Sequence, residues 1–491
     1  MFGSWRQESC GKVSKFGTSL LQQENYHSMN ANIAPERIKI LNEKPAHEDG
    51  RYVLYWMQQS QRSRWNHALE YAIAKANELD CGVLVGFGLM DDYPEANARH
   101  YTFMLEGLQQ AQEGLEDRKC KFVLRFGHPA DVALELGQSA KCIVCDRGYL
   151  RHQRAWRDRV AEEANCQVVQ VECDAVVPVE TASGKQEYAA RTIRKKLMGQ
   201  YEDFLEAPDG GALQKDSRFL QPTGEDIEDI PAMVERMDID HSVRPVSEHF
   251  QGGEQRAAAV FERFLQQHFS DYSSHRNQPQ TDDVSYMSMY LHFGHIAPAH
   301  LLQWVRQAKP KDENREDFVE ELLVRRELGI NFCYYTEDYD RFDTLPGWAQ
   351  ETLAEHSKDE RDPAYTLEEL EHAKTHDPYW NAAMLEMKHT GYMHNYMRMY
   401  WGKQILAWSP DPKTAYNRTL HLNNKYFLDG RDCNSFANVS WVFGQHDRGW
   451  TERPIFGKVR IMKQSGLKRK MKPDQYVEKV ARLTGIDASE I

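Results

Sequence analysis

The sequence predicts two domains: an α/β domain with a Rossmann-like, parallel five-stranded sheet, followed by an all-α domain. At 491 residues, the chain is longer than one hydrophobic core usually organises. Within residues 46–195, short apolar runs alternate with amphipathic stretches, which is typical of βαβ units. Within residues 251–485, apolar residues recur with helical spacing instead.

The elements follow from these patterns in chain order. The predicted strands are 52–56, 82–89, 121–126, 142–145 and 167–171, and the helices between them are 65–79, 99–116, 129–137 and 153–164. The predicted helices of the second domain are 254–269, 300–308, 316–332, 367–376, 381–408 and 412–428. No GxGxxG motif follows the first strand, so a dinucleotide held in the Rossmann manner is not indicated. Cys142 and Cys145 form a CxxC motif inside the apolar run KCIVCD, which favours a buried strand over a metal or redox site.

Two segments lie outside these domains. Residues 1–45 are polar and lack periodicity, so we expect a disordered lead, and no apolar stretch marks it as a secretory signal. Residues 196–250 are predicted to be an acidic linker between the domains, running over the surface.

Charge is unevenly distributed along the chain. The net charge is −13, yet residues 455–473 contain seven basic side chains and no acidic one. Such a run can collect phosphates whatever the total charge, because salt screens charges beyond about 10 Å. A solvated helix face is the alternative. Nine scattered cysteines and no apolar stretch of membrane length indicate an intracellular protein with reduced thiols.

Tryptophans are concentrated near the end of the second domain. Five of the eleven lie between residues 380 and 450, among Arg, Asn and Asp side chains, which suggests flavin and nucleobase chemistry. Trp401 and Trp408 are seven residues apart on one helix stripe, about 10 Å along the axis. With Trp380 they could pass electrons from a buried cofactor to the surface, or they could simply pack.

Polar motifs surround this region. Asp429, in LDGRDCN, is placed to pair with Arg398, although a capping turn with a surface ion pair is the alternative. The Ser, Thr and Asp residues within 272–298 suggest a helix start that could hold phosphate. In 318–332, one carboxyl could face a pocket while the other charges form i,i+4 pairs such as Glu321–Arg325.

Several segments, matched jointly and in order, resemble the class II cyclobutane pyrimidine dimer DNA photolyases of the photolyase/cryptochrome superfamily. They are EELLVRRELGINF, THDPYWNAA, TGYMHNYMRMYWGK, LDGRDCNSFANVSWVFGQHDRGW and RPIFGKVR. The resemblance covers about residues 52–483 and implies an antenna-type α/β domain and a helical FAD-binding catalytic domain. It further implies light-driven repair of dimers in DNA, with FAD active as the reduced anionic hydroquinone and the lesion flipped out of the duplex. A deazaflavin or a folate is a conceivable antenna chromophore.

The resemblance also implies roles for individual residues. The expected catalytic residues are Glu321, Asn423 near flavin N5, and the electron-transfer chain Trp401, Trp380 and Trp408, in that order outward. The expected cofactor contacts are Tyr272, Ser285, Ser288, Arg398, Asn423, Asp429 and Asp432. The expected contacts to lesion and DNA are Arg276, Asn277, Glu321, Met399, Trp441, Arg448 and Trp450. No metal is expected. The sequence departs from the family pattern at Tyr286 and Met289, and at Cys433, where a proline is usual.

The expected partner is DNA containing pyrimidine dimers, bound by a monomer without a membrane or an obligate protein partner. We expect a cytoplasmic or DNA-associated location, which would be nuclear or organellar in a eukaryote. The main alternative is a cryptochrome-like photoreceptor without repair activity, and another is a light-independent nucleic-acid-binding protein. Glu321, Arg448, Trp450 and the basic run favour the enzyme.

Overall fold

The amino-terminal half of the computed structural model folds around one mixed sheet. The structure describes residues 32–308 and 311–491. The strands of the sheet are β1 Ile38–Ile40, β2 Tyr52–Trp56, β3 Gly82–Leu89, β4 Lys121–Phe126, β5 Ala140–Asp146 and β6 Gln167–Val171. Their order is β1-β6-β5-β2-β3-β4, and β2 to β6 run parallel to one another. The predicted α/β fold is confirmed, and strands β2, β3 and β5 are buried along almost their whole length because a parallel sheet is covered on both faces.

A sixth strand corrects the predicted count of five. β1 lies in the lead that the sequence predicts to be disordered, and it pairs antiparallel with β6, with Ile38 opposite Val171. The neighbouring Arg37 is buried and donates to the carbonyl oxygens of Ala175 at 2.9 Å and Val176 at 2.6 Å. The prediction of disorder is wrong here because a three-residue strand shows no periodicity and depends on partners far along the chain. Residues 1–31 lie outside the described part of the chain.

Helices connect the strands and lead out of the sheet. They are α1 His67–Glu78, α2 Ala98–Asp117, α3 Pro129–Gly137, α4 Arg151–Glu163, α5 Val179–Ala182 and α6 Ala190–Met198. Cys142 and Cys145 are buried within β5 as free thiols, as the sequence predicts. Burial raises the pKa of Cys145 to about 12, so this thiol stays protonated at neutral pH.

The acidic segment 196–250 packs against the α/β domain. Its apolar side chains Leu213, Ile227 and Met233 belong to the same buried cluster as residues of the sheet. It also contains a short helix, α7 Ile230–Glu235. The segment therefore exposes its acidic side chains, while its apolar residues join the core of the first domain and, at Phe204 and Val246, the core of the helical half.

The carboxyl-terminal half is helical. Its helices are α8 Glu254–Gln267, α9 Tyr272–His275, α10 Ser288–His292, α11 Pro298–Gln307, α12 Asp312–Val319, α13 Arg326–Tyr335, α14 Gly347–Glu355, α15 Leu367–Glu371, α16 Pro378–Thr390, α17 Asn395–Trp408, α18 Pro412–Tyr426, α19 Cys433–Val442, α20 Gln464–Lys470 and α21 Pro473–Thr484. Short 3₁₀ turns occur at Pro35–Arg37, Tyr201–Phe204, Phe269–Asp271 and Phe342–Thr344. No helix among the described residues is long and apolar enough to cross a membrane.

Two helices that the sequence predicts as continuous are interrupted. The predicted helix 381–408 is divided into α16 and α17 because the chain turns at Gly391, where φ is +74°. A Cβ atom at this glycine would lie 2.7 Å from Leu428, so both the conformation and the close approach require glycine. The predicted helix 316–332 contains a π-helical turn, Glu320–Arg325, between α12 and α13. Such turns frequently occur at functional sites.

Buried polar contacts join the two halves. Arg62 forms an ion pair with Asp174 at 2.7 Å and donates to the carbonyl oxygen of Gly294 at 2.8 Å. The side-chain carboxyl group of Glu327, on α13, accepts the backbone N–H of Val176 at 2.5 Å. These contacts fix the helical half against the segment that leaves β6.

We predict that Glu327 makes stability fall as pH rises from about 5 to 8. Burial raises the pKa of Glu327 to about 8, although Arg326 and backbone donors oppose the rise. Glutamate in an unfolded chain has a pKa of about 4.3, so between these values only the folded state keeps the proton. The free energy of unfolding should then fall by up to about 1.4 kcal/mol per pH unit, and Glu327→Gln should remove this contribution.

Urea denaturation of wild type and variant at several pH values measures the difference. Glu316→Gln, at an exposed site, is the matched control and should keep the wild-type slope. An unchanged pH dependence in Glu327→Gln would contradict the prediction.

Candidate functional site

The centre of the candidate site is an ion pair between α17 and the turn after α18. Arg398 Nη1 lies 2.9 Å from Asp429 Oδ1, and Arg398 Nε donates to the carbonyl oxygen of Met393 at 2.8 Å. The guanidinium also covers the ring of Phe427, at 3.9 Å from its centroid, and approaches that of Tyr392 at 5.6 Å. The predicted pairing of Arg398 with Asp429 is thus present, and both side chains are mostly buried.

Asn423 lies on α18 close to this pair in sequence. Its side chain is buried, and Nδ2 donates to Ser435 Oγ at 2.5 Å and to Asn424 Oδ1 at 2.9 Å. These bonds use the amide N–H groups and fix the orientation of the side chain. The side-chain oxygen of Asn423 has no hydrogen-bond partner among the described residues, so it can accept one from a ligand.

The three predicted electron-transfer tryptophans form one buried cluster. Trp380 Nε1, on α16, donates to the carbonyl oxygen of Trp401 at 3.0 Å, and the rings of Trp380 and Trp408 lie 5.6 Å apart. The outer ring, Trp408, contacts Tyr365 at 5.3 Å and the exposed His376 at 5.4 Å. The cluster therefore leads from the α17 core to the protein surface.

The predicted cofactor contacts in 272–288 are spread over different environments. The ring of Tyr272 packs among three phenylalanine rings, and burial raises its pKa. Ser285 is half-buried and Ser288 is exposed at the first turn of α10. Neither serine side chain has a hydrogen-bond partner among the described residues. Between them, Tyr286 has a positive φ of 54°.

The predicted lesion residues Arg276 and Glu321 contact each other. Arg276 Nη2 lies 2.6 Å from Glu321 Oε1, and its Nη1 lies 3.2 Å from Asp317. The expected pair Glu321–Arg325 is wrong, because Arg325 binds Glu320 at 2.9 Å instead. The π-helical turn explains the difference: it aligns residues five apart and frees Glu321 to reach Arg276.

The other predicted contacts to DNA are half-buried or exposed. Trp441, half-buried on α19, lies below the guanidinium of Arg325, which is 5.3 Å from its ring centroid. Met399 is half-buried on α17, and Asn277 is exposed. Trp450 is 41% exposed.

Arg460 is a functional candidate that the sequence did not single out. Its guanidinium lies 5.2 Å from the ring centroid of Trp450, and that of Arg448 lies 5.3 Å from the same centroid. Two cations on one exposed indole make a platform suited to nucleic acid. Arg460 belongs to the predicted basic run, but only the folded chain brings it to this ring.

Comparisons with known proteins identify the family. A sequence profile described as DNA photolyase matches residues 53–210. The deoxyribodipyrimidine photo-lyase of Methanothermobacter thermautotrophicus is 46% identical over 92% of this chain and 99% of that protein. The chain belongs to the DNA photolyase family. The proteins of the same name from Arabidopsis thaliana and Potorous tridactylus are 36% and 35% identical, over 92% and 91% of this chain and 94% and 84% of their own lengths.

Solved structures show the same fold. A bacterial class III photolyase from Agrobacterium tumefaciens matches with a TM-score of 0.67 at 17% identity, over 88% of this chain and 86% of that one. An archaeal photolyase from Sulfolobus tokodaii, solved with two FAD molecules, matches with a TM-score of 0.63 at 14% identity, over 88% and 87%. The resemblance deduced from the sequence is confirmed, and the enzyme predicted is the one named in these relatives.

A cavity of this photolyase lies between its two domains. Its lining includes the aromatic side chains of Phe87, Tyr93, Tyr101, Tyr149, Trp156 and Phe293. Four buried polar atoms of lining residues have no hydrogen-bond partner among the described residues: Gln58 Nε2, Gln61 Oε1, His292 Nδ1 and Arg431 Nε. These atoms are free to hydrogen-bond a polar ligand in the cavity.

Asp432 also lines this cavity, although the sequence placed it with the cofactor contacts around Asp429. It caps α19 by accepting the N–H of Asn434 at 3.1 Å. Burial acts to raise the pKa of Asp432, but His292, Arg326 and the cap outweigh it and lower the pKa to about 2. The carboxylate is therefore ionised at neutral pH.

A second residue missed by the sequence is Lys479, on α21. Its ammonium group lies 2.7 Å from Asp282 and donates to the carbonyl oxygens of Pro279 at 3.2 Å and Thr281 at 3.1 Å. These contacts fix the segment that carries the predicted phosphate contacts. No local pattern reveals them, because 198 residues separate Lys479 from Thr281.

We predict that Arg398 and Asp429 are coupled more strongly than a surface pair. Their side chains are 21% and 10% exposed, between the typical surface and buried cases. A double-mutant cycle with Arg398→Met and Asp429→Asn in ligand-free protein should give a coupling energy of about 1–2 kcal/mol. Urea denaturation of the four proteins measures it.

The control is the more exposed pair Arg125–Glu135, at 2.6 Å. Equal coupling in the two cycles would show that Arg398 and Asp429 form only an ordinary surface contact.

Proposed function

We propose that this photolyase repairs cyclobutane pyrimidine dimers in DNA by light-driven electron transfer from reduced FAD to a flipped-out lesion. The observation that carries the proposal is that one helix, α17, carries both Arg398, which pairs with Asp429, and Trp401, whose carbonyl oxygen accepts the Trp380 N–H. Met399, which we assign to the lesion, lies on the same helix. One helix thus joins the residues of three proposed tasks.

The residues around Arg398 fit an isoalloxazine ring. Arg398 Nη2 and the side-chain oxygen of Asn423 have no partner among the described residues, and neither has the buried Trp401 Nε1. Such a ring carries carbonyl acceptors and N–H donors along one edge, which complement a guanidinium, a carboxylate and an amide. Arg398, Asp429 and Asn423 would hold the ring.

The phosphate side would involve the segment fixed by Lys479. Ser285 and Ser288 would bind the diphosphate near the start of α10, and Tyr272 would contact the flavin side. When bound, reduced FAD supplies light absorption and the transferable electron. The protein residues bind, orient and exclude water.

The lesion would lie against Glu321, Met399 and Trp441. The ion pair with Arg276 keeps the Glu321 carboxylate in place, so that it can accept an imide N–H of a pyrimidine. Trp441 offers an aromatic surface for an extruded base. Arg276 and Asn277 would contact the DNA nearby.

Trp450, with Arg448 and Arg460, would act on the duplex around the lesion. An exposed indole with two guanidinium groups beside it can stack on bases while the cations meet phosphates. A dimer is already poorly paired and stacked, so extruding it costs less than extruding intact bases.

The interdomain cavity would hold an antenna chromophore. Its aromatic lining suits a planar ring system, and the unpartnered polar atoms of Gln58, Gln61 and Arg431 suit its heteroatoms. A deazaflavin or a folate is compatible with this lining. The absorption spectrum of the chromophore released on denaturation distinguishes them.

Illumination of a dimer-containing oligonucleotide with chemically reduced protein tests the proposed repair. We expect intact thymines to return in the light and not in the dark. Glu321→Ala, which removes the proposed lesion contact, should lose most of this activity while retaining flavin. A flavin-containing protein that is photoreduced but leaves dimers intact would instead be the photoreceptor alternative, and repair would be refuted.

We predict that Trp380→Phe blocks light-driven reduction of the oxidised flavin. Trp380 is the central ring of the cluster, and phenylalanine is much harder to oxidise than tryptophan. Repair by chemically pre-reduced enzyme should remain near the wild-type level, because the electron for repair does not cross this cluster. Flavin absorbance during illumination and the repair assay measure the two effects.

Trp304→Phe is the matched control, since Trp304 packs on Phe261 outside this cluster. Photoreduction that persists in Trp380→Phe would remove the electron-transfer assignment.

We also predict that changing Lys468, Arg469 and Lys470 to Gln weakens binding to damaged and undamaged DNA alike. These residues end α20 and form no ion pair with a described residue, and lost phosphate contacts affect both ligands equally. The slope of log K against log salt should become less negative by about 2–3.

The control variant carries Arg51→Gln and Lys119→Gln, at exposed sites directly before β2 and β4. The interdomain cavity is lined by residues that follow the strands, so the control sites lie at the opposite end of the sheet. A loss restricted to damaged DNA would argue against a phosphate role for α20.

A further inference from the structure

A second basic surface lies on α6 and the loop before it. Lys185, Arg191 and Lys195 are exposed, and none of them forms an ion pair with a described residue. Tyr188 lies among them in sequence and is 52% exposed. These four residues are called the α6 surface below.

Two acidic groups beside the α6 surface are paired with cations. Glu187 is buried and binds Lys196 at 2.5 Å and Ser183 at 2.6 Å. Glu320 lies between Arg194 at 2.6 Å and Arg325 at 2.9 Å. These two carboxylates are therefore neutralised, whereas Lys185, Arg191 and Lys195 have no acidic partner among the described residues and remain available to a polyanion.

The α6 surface adjoins the candidate lesion residues through two separate connections. The hydroxyl of Tyr188 donates to the carbonyl oxygen of Asp447 at 3.0 Å, and the Tyr188 carbonyl oxygen lies 2.9 Å from Nδ1 of His446. The ring of His446 lies 6.1 Å from that of Trp441. The second connection is the Arg194–Glu320–Arg325 chain, because the guanidinium of Arg325 covers Trp441.

Hydrogen bonds from α13 hold the loop that carries the α6 surface in place. Asn331, fully buried on α13, donates to the carbonyl oxygen of Lys185 at 3.0 Å and accepts the N–H of Glu187 at 2.7 Å. Tyr335 donates to the carbonyl oxygen of Ser183 at 2.6 Å. A fixed loop loses less entropy on binding, so these anchors favour recognition of a rigid partner.

We propose that the α6 surface binds the backbone phosphates of undamaged duplex next to the lesion, as a second contact beyond the basic run 455–473. This rests on the proposed function, because it assumes that DNA enters beside Trp441. Unpaired cations over a fixed loop fit the phosphate backbone, which carries no sequence information. The exposed ring of Tyr188 offers an apolar face to the sugars between the phosphates.

A variant with Lys185→Gln, Arg191→Gln and Lys195→Gln tests the proposal. Its binding is measured against a three-turn duplex with one dimer, the same duplex without it, and a single-stranded hexamer containing a dimer. We expect affinity for both duplexes to fall at least about tenfold at low salt, and the salt slope to weaken by about 2–3. Binding and repair of the hexamer, which has no duplex flank, should remain near the wild-type level.

Two control variants test whether the loss of affinity is specific to the charges of the α6 surface. The Arg51→Gln, Lys119→Gln variant loses two positive charges far from the site and should bind as wild type does. A charge-keeping variant, Lys185→Arg, Arg191→Lys and Lys195→Arg, should retain affinity, and thermal melting checks that every variant is folded.

Three results would overturn the proposal. These are an unchanged salt slope, an equal loss on the hexamer, or an equal loss in the Arg51, Lys119 control. A wild-type protein that binds duplex with the expected slope but repairs no dimer would refute the proposed function and leave the α6 surface standing. A wild type that repairs dimers, with a variant whose slope is unchanged, would refute the α6 surface alone.

Discussion

The site depends on the turn between α16 and α17. Gly391 adopts a left-handed conformation, and its carbonyl oxygen accepts the N–H of Leu428 at 2.9 Å. This hydrogen bond joins the turn that precedes α17 to Leu428, the residue directly before Asp429. Arg398 then reaches Asp429 from one side of α17. A side chain at position 391 would meet Leu428 and force the turn apart.

The same turn returns the chain so that α17 packs along α16. Trp380 then reaches the backbone of Trp401 and the ring of Trp408, which no single straight helix over 381–408 would allow. A break in the helix is thus required for both the ion pair and the tryptophan cluster. The cost of the unusual backbone is small because glycine adopts positive φ readily.

Charge is arranged differently inside and outside the molecule. Buried ions such as Arg62 and Asp174 are paired, since an isolated charge in the interior is costly. Unpaired cations occur on the surface around Trp450 and on α6, where a polyanion can reach them. The negative total charge of the chain therefore coexists with these positive surfaces, and many of its exposed acidic side chains lie in the segment 196–250.

The sequence predicted most of what depends on local pattern. Strands β2, β3, β4 and β6 end at the predicted residues because apolar runs bounded by polar residues define them. Arg398 and Asp429 could be paired from motif and resemblance together. The sequence missed β1, whose pairing with β6 is set by distant residues.

It also paired Arg325 with the wrong glutamate, because a π-helical turn leaves no mark in a helical pattern. The contacts of Arg460, Lys479 and Tyr188 could not be predicted from the sequence for a related reason. Each joins segments far apart in sequence, and a single sequence carries no record of such proximity.

The central claim is that the helical domain holds a flavin and an extruded dimer together, with α17 between them and the tryptophans. The most direct measurement is a crystal structure of the protein bound to FAD and to a duplex with one dimer. We expect the isoalloxazine edge on Arg398, Asp429 and Asn423, and the dimer out of the helix against Glu321, Met399 and Trp441. A flavin bound elsewhere, or a dimer still stacked in the duplex, would contradict the claim.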